Sequence, residues 1–380
     1  MIPQLSLFFF SADSADQPGG KYRMLLDSAK FADEHGFSAI WTPERHFQRF
    51  GGLYGSPSVT GAALAVTTKR ISIRAGSVVF PLQNPLRVAE EWAMIDNLSN
   101  GRVAIAAASG WHANDFVLSP DTYQNRHEDM FAKISIVQKL WRGEKVSLPN
   151  GVGAKTEVNI LPAPIQKELP IWLTGQSDDT FSNAGKLGFN VLTANFALHH
   201  NLKGFLRKVK LYRDTIQEHH GRRGHITLMA HTFVGESDDA TKKIAQPAMA
   251  GYIKVNIEMQ KDHSAATKDE QGALRKTSWV NPTISVLSEK DAQELIDAQV
   301  QNNLRGPLSF IGTTDECAKQ AERLSEIGVD EIACLLDFGV GFDDVMASLQ
   351  RLAALPAINS RGMPDRGQPG IGSDQSRPSA

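Results

Sequence analysis

The sequence has almost no cysteine: Cys317 and Cys334 are the only two in 380 residues. That excludes a disulfide framework and a zinc site built on several thiolates. No apolar run is longer than a strand, so no segment is expected to span a membrane. Neither sign of charge is in excess, with 40 Lys and Arg against 42 Asp and Glu and a net of −2. Without a positive field, a nucleic-acid partner is not expected. The opening MIPQLSLFFFSAD has no basic region and turns polar quickly. It reads as a first strand, with no secretory leader, and the cytoplasm is the default compartment. No Gly-rich dinucleotide fingerprint follows that strand, and no lysine stands at a strand end for Schiff-base chemistry. The pair His199-His200 falls on no clear helix face and has no spaced carboxylate partner, so no metal is expected.

What is present is patterned. Hydrophobic residues make up 41% and charged residues 22%, the balance of a globular chain. The length fits one large domain or two modest ones, since about 150 residues per domain is only a prior. Apolar runs rich in Val, Ile and Phe occur at residues 4–11, 38–44, 72–80, 102–110, 170–176, 189–196, 225–235 and 330–339. They are continuous rather than alternating, as in parallel strands covered on both faces. Helical stretches separate them. Residues 20–36 carry an apolar stripe and stop at Gly36; 85–98 open on a proline and close before Asn100-Gly101; 314–327 stop at Gly328. Eight strand–helix units predict an α/β fold, a (β/α)8 TIM barrel, with a doubly wound open sheet as the alternative. Two connections are long, so insertions are expected after the fourth and seventh strands. The first contains a helix at 126–141 and a hairpin-like stretch to Pro164; the second contains a polar, unpatterned stretch at 261–281 that reads as a lid. Residues 1–356 are expected to form the single barrel domain. Residues 357–380, rich in Gly, Pro, Ser and Arg, read as a disordered tail or linker.

In a barrel the functional face is the C-terminal end of the strands. After the fifth run come Gly175, Gln176, Ser177 and Thr180, hydroxyls at the start of a helix where free N–H groups favour a phosphate. Ser177 as an ordinary helix cap is the competing reading. His46 follows Glu44 and Arg45 after the second run, where an imidazole can exchange a proton near neutrality. A structural histidine is the alternative, and Glu44 and Arg45 could pair with each other or with loops. Gly76-Ser77 interrupts an apolar strand, marking either close approach of a ligand or tight barrel packing. Ser109, Gly110 and Trp111 end the fourth run, and Trp111 either stacks on a planar ligand or anchors the insertion.

Several segments in order resemble the bacterial-luciferase-like flavin-dependent monooxygenases: TPERHF at 42–47, FPLQNPLRVAE at 80–90 running on to DNLSNGR at 96–102, Gly110-Trp111 with Asp115-Phe116, Gly175-Gln176-Ser177 with Thr180, and GTTDEC at 312–317. The resemblance spans nearly the whole chain. ASGWHANDFVLSP together with PERHF is similar to the subgroup associated with polyketide and nonribosomal-peptide biosynthesis. The resemblance implies a luciferase-like barrel that binds reduced FMN supplied by a separate flavin reductase. O2 is then the co-substrate, activated as a flavin C4a-(hydro)peroxide. It implies oxygenation of a biosynthetic intermediate, free or tethered to a carrier protein, by hydroxylation at carbon or nitrogen or by Baeyer–Villiger insertion. It places a non-prolyl cis peptide at Gly76-Ser77 against the flavin ring and His46 beside that ring. Ser109, Gly110 and Trp111 fall along the phosphate and ribityl chain, Gly175, Gln176, Ser177 and Thr180 on the phosphate, and a mobile loop at 261–281. It implies a homodimer through helices at 56–68 and 85–98. Two departures stand out. Arg45 occupies the place of a first histidine, and Ala108 that of a reactive cysteine, which argues against light emission from an aldehyde. Ser109 stands where the family carries an arginine, leaving either Arg74, Arg87 or Arg126 to compensate or the flavin to bind weakly. The same fold also hosts deazaflavin-dependent hydride transfer and non-catalytic flavin binding. A barrel lyase or aldolase acting on a sugar phosphate ranks last.

Overall fold

All eight apolar runs become parallel strands of one closed ring in the computed structural model, which describes residues 3–10, 20–195, 201–266 and 288–355. The strands are β1 (Gln4–Phe8), β2 (Ala39–Thr42), β3 (Ser72–Val79), β4 (Val103–Ala108), the hairpin β5 (Val146–Pro149) and β6 (Lys155–Val158), β7 (Ile171–Thr174), β8 (Asn190–Ala194), β9 (Ile226–Val234), β10 (Phe310–Gly312) and β11 (Glu331–Leu335). The ring runs β1-β2-β3-β4-β7-β8-β9-β11 and closes where β11 pairs with β1. This is the (β/α)8 barrel expected from the sequence. The helices are α1 (Arg23–Glu34), α2 (Pro57–Thr67), α3 (Pro85–Ser99), α4 (Arg126–Trp141), α5 (Asp178–Leu187), α6 (Leu202–His220), α7 (Asp238–Ala266), α8 (Glu289–Arg305), α9 (Thr314–Glu326) and α10 (Phe342–Ala353).

The strands are apolar on both faces because each face is buried. Leu5, Leu7, Ile40, Ile73, Ile105 and Leu228 pack outward against the helices. Phe8, Trp41, Ala104, Ala106, Trp172, Leu192, Ala333 and Leu335 form a separate cluster inside the ring. The N-terminal end of that interior is polar. Arg74 donates to both carboxylate oxygens of Glu331 at 3.1 and 2.8 Å, and its guanidinium lies over the rings of Trp41 and Trp172 at 4.9 and 4.7 Å. Ser6 and the Trp41 indole also donate to Glu331.

One expectation is corrected. The polar stretch at 261–281 does not begin as a loop, because α7 continues through Ala266. His263 is buried there and holds the end of the helix down. Residues 267–281 lie outside the described residues, as do His199-His200 and 357–380. The short strand β10, which pairs with the far end of β9, has only three residues and too little pattern to stand out in the sequence.

Candidate functional site

β2 ends in a loop whose central group is Glu44. Its side chain is buried and accepts from the Val79 N–H at 2.7 Å, the Gln83 amide at 2.5 Å and His46 Nε2 at 3.0 Å. The Glu44 carboxyl beside Nε2 orients the His46 ring, and Nδ1 is the nitrogen that Glu44 does not engage. Arg45 does not pair with Glu44. It turns the other way and is buried, with Nη1 3.5 Å from Asp115, Nη2 3.0 Å from the Met259 sulfur and its guanidinium 5.4 Å from the Trp111 ring centre. Phe47, next along, adopts φ +57° and is 64% exposed, an aromatic ring turned out beside His46.

β3 carries a cis peptide at Gly76-Ser77, where its register against β4 shifts between Gly76 and Val78. A Cβ at Gly76 would sit 2.7 Å from the Phe8 ring and 3.1 Å from Trp41. Barrel packing alone thus requires glycine. The Ser77 hydroxyl reaches across β4 to Thr174 at 2.6 Å, a span made possible by the alanines of β4.

At the end of β4, Ser109, Gly110 and Trp111 are half-buried. Gly110 has φ +72°, and a Cβ there would meet Val79 at 2.8 Å and Phe116 at 3.0 Å. His112 is fully buried, and neither ring nitrogen has a well-formed hydrogen bond. Its ring and that of Trp111 pack on His263 from α7, with centres 4.9 and 5.0 Å apart, and the Ala113 N–H donates to His263 Nδ1 at 3.3 Å. Burial, then the positive field of Arg45, pushes His112 down to about 3. Burial, then Arg126 and Arg45, pushes His263 down to about 4. Burial raises Asp115 against the opposing pull of Arg45 and His46, which places His46 within the field of this cluster.

At the end of β7, Gly175 leaves room for Thr180, whose Oγ1 would be 2.5 Å from an added Cβ. Ser177 caps α5, accepting from the Thr180 N–H at 3.1 Å, and its hydroxyl lies 3.0 Å from that of Thr180. The capping reading is therefore correct as structure, and the hydroxyl pair still faces a helix N-terminus. Gln176 donates weakly to the Ala194 carbonyl at 3.4 Å, and Lys208 from α6 donates to the Gln176 carbonyl at 2.5 Å. Two hydroxyls, the first-turn N–H groups and a nearby ammonium are a donor set suited to a phosphate monoester.

The predicted site residues thus gather on one face. Thr174 ties β7 to Ser77, Val79 ties β3 to Glu44 and packs beside Gly110, and Glu44 ties both to His46. Two of the three arginines offered as compensation do not. Arg74 is committed to Glu331 at the opposite end of the barrel, because its position is early in β3. Arg87 pairs with Glu90 and Glu91 on the exposed side of α3. Arg126 remains near the site, donating to the Tyr123 carbonyl at 3.0 Å and covering its ring. Sequence reasoning named Asp115 only within the resembling segment and gave it no partner, and it did not single out Met259, His263 or Lys208. The last three lie on helices whose face toward the site is set by packing and not by spacing.

The sequence profile of the luciferase-like monooxygenases matches residues 4–331. The oxygenase component of a flavin-dependent trigonelline monooxygenase from Acinetobacter baylyi is 26% identical over 94% of this chain and 96% of its own. The oxygenating constituent of 3,6-diketocamphane monooxygenase from Pseudomonas putida, a type II Baeyer–Villiger enzyme solved with FMN, superposes with TM-score 0.73 at 16% identity, over 94% of this chain and 98% of that one. An F420-dependent secondary alcohol dehydrogenase solved with an F420-acetone adduct superposes with TM-score 0.63 at 16% identity, over 94% and 99%.

Proposed function

The chain belongs to the luciferase-like monooxygenase family, and from that premise we propose that it binds reduced FMN at the barrel mouth and oxygenates a small organic substrate with O2. The observation that carries the reading is the junction of two features. The donor cradle at Gly175–Thr180 is joined through Thr174 and the Ser77 hydroxyl to the cis Gly76-Ser77 peptide. One end suits a phosphate, and the other would set the cis peptide plane against a planar ring. The bound flavin supplies the oxygen activation.

The chain's own residues then divide the remaining work. Ser177, Thr180 and the first-turn N–H groups of α5 hold the phosphate. Gly175 and Gln176 shape that turn, and Ser109, Gly110 and Trp111 line the ribityl chain. His46, held at Nε2 by Glu44, moves a proton at Nδ1. Arg45, Met259 and His263 seal α7 onto the loop after β4 and keep water from the ring.

A separate flavin reductase is the proposed source of reduced FMN, supported by the likeness to a protein named as an oxygenase component. The proposed substrate is a natural-product intermediate, free or bound to a carrier protein, hydroxylated at carbon or nitrogen or opened by Baeyer–Villiger insertion. The exposed Phe47 at the mouth suits an apolar or planar substrate. A homodimer is proposed through α2 and α3, where Val59, Val66, Met94 and Leu98 are all more than half exposed. Residues 1–356 as one domain and a cytoplasmic location complete the proposal. The likeness to an F420-dependent enzyme keeps deazaflavin hydride transfer as the second reading; flavin binding without turnover is the third. Titration with FMN and with a deazaflavin, followed by oxygen uptake with a flavin reductase and NADH, separates the three. FMN preference with uptake that responds to the protein supports the proposal, and deazaflavin preference overturns it.

A further inference from the structure

We propose that Lys208 supplies the positive charge of the phosphate cradle, its ammonium shared between the Gln176 carbonyl and a bound phosphate monoester; this rests on the FMN reading above. The first turn of α5 carries two carboxylates, Asp178 and Asp179. They suit the helix dipole but repel a phosphate dianion, so the cradle needs a cation. Arg207 is committed to Asp178 through two hydrogen bonds, at 2.5 and 3.0 Å. Lys208, the next residue, is half-buried, and its ammonium is held 2.5 Å from the carbonyl of a cradle residue. An ammonium has three donors, and that carbonyl occupies one of them.

The position of Lys208 follows from how α5 and α6 meet. A Cβ at Gly185 would lie 2.7 Å from Thr215 Cβ, so glycine lets the two helices approach closely at that level. Lys208 precedes Thr215 by two turns, and Asp178 precedes Gly185 by the same two turns, about 10 Å along each axis. In consecutive, parallel strand–helix units this brings Lys208 level with the start of α5. The close Gly185–Thr215 crossing thus positions a cation at the anion end of the neighbouring helix.

The test compares FMN with riboflavin, which lacks the phosphate, in binding titrations of the oxidised flavins monitored by fluorescence. The unaltered protein should prefer FMN, and added salt should reduce that preference. Lys208→Met should weaken FMN at least about tenfold and leave riboflavin within about twofold, and Lys208→Arg should restore most of the preference. Equal weakening of both flavins would mean that Lys208 only holds the loop, and no change in either would remove it from the site; each result overturns the proposal. If the unaltered protein binds FMN no better than riboflavin, the phosphate cradle itself fails, and Lys208 with it. Should Lys208→Met not fold, the salt dependence and Lys208→Arg decide the question.

Discussion

At the scale of single residues, Glu44 organises the site more than any residue the sequence singled out. It accepts from His46, Gln83 and the Val79 N–H at once, so it fixes the imidazole and the end of β3 together. His46→Ala should leave FMN affinity within about twofold and lower coupled product formation at least about tenfold, the usual scale of a lost proton-transfer group. Product per O2 consumed checks this, and unchanged coupling would remove His46 from the chemistry. Glu44→Gln should cause a similar loss and also destabilise the fold, because a neutral amide replaces a buried acceptor of three hydrogen bonds; thermal unfolding reads the second effect. His46 was legible because an imidazole at a strand end is conspicuous. Glu44 was not, because the adjacent Arg45 offered it a sequence partner that the fold sends to Asp115.

At the scale of elements, the ends of β3 and α7 are the informative places. Gly76→Ala places a Cβ 2.7 Å from the Phe8 ring. It should cost about 1–3 kcal/mol, the scale of overpacking a core, measured by denaturant unfolding. The docking of α7 on Trp111 and His112 should be sensitive to acid. His112 and His263 are held down from 6.5 to about 3 and about 4 by burial and nearby arginines. The unfolded chain therefore takes up their protons first. Their contribution to stability is complete above pH 6.5 and is lost as pH falls from 6.5 toward 4 and then 3. Thermal unfolding across that range should show a steep fall in Tm, and His112→Gln should flatten it. An unaltered slope would contradict the assignment. The helix–strand alternation was readable because buried parallel strands are continuous in apolar residues. The reach of α7 to Ala266 was not, because its last described side chains are mostly polar and the buried His263 contacts residues far away in sequence.

At the scale of the whole molecule, the two ends of the barrel have different work. The N-terminal end is closed by Arg74, Glu331, Ser6 and two tryptophans. Burial alone would raise the Glu331 carboxyl, but Arg74, His225 and Ser6 together hold it well below the ordinary range. Glu331→Gln should leave Arg74 buried without its counter-ion and cost about 3–5 kcal/mol, measured by denaturant unfolding, with little change in FMN affinity if the protein is still folded. Much of the longest resembling stretch is also structural. Asp96 accepts N–H groups of Ile165 and Gln166, Asn100 caps α3 in the left-handed conformation, and Arg102 donates to the carbonyls of Ala65, Thr68, Ile71 and Ser99. A family resemblance of this kind reports the barrel frame as strongly as the chemistry.

The chemistry at the other end is tested most directly by an anaerobic titration with reduced FMN followed by rapid mixing with oxygenated buffer. Tight binding of reduced FMN is predicted, with reoxidation at least about tenfold slower than that of free reduced FMN, through a transient absorbance belonging to neither redox state. Binding that favours a deazaflavin, or reoxidation indistinguishable from that of free flavin in the presence of bound protein, would contradict the account.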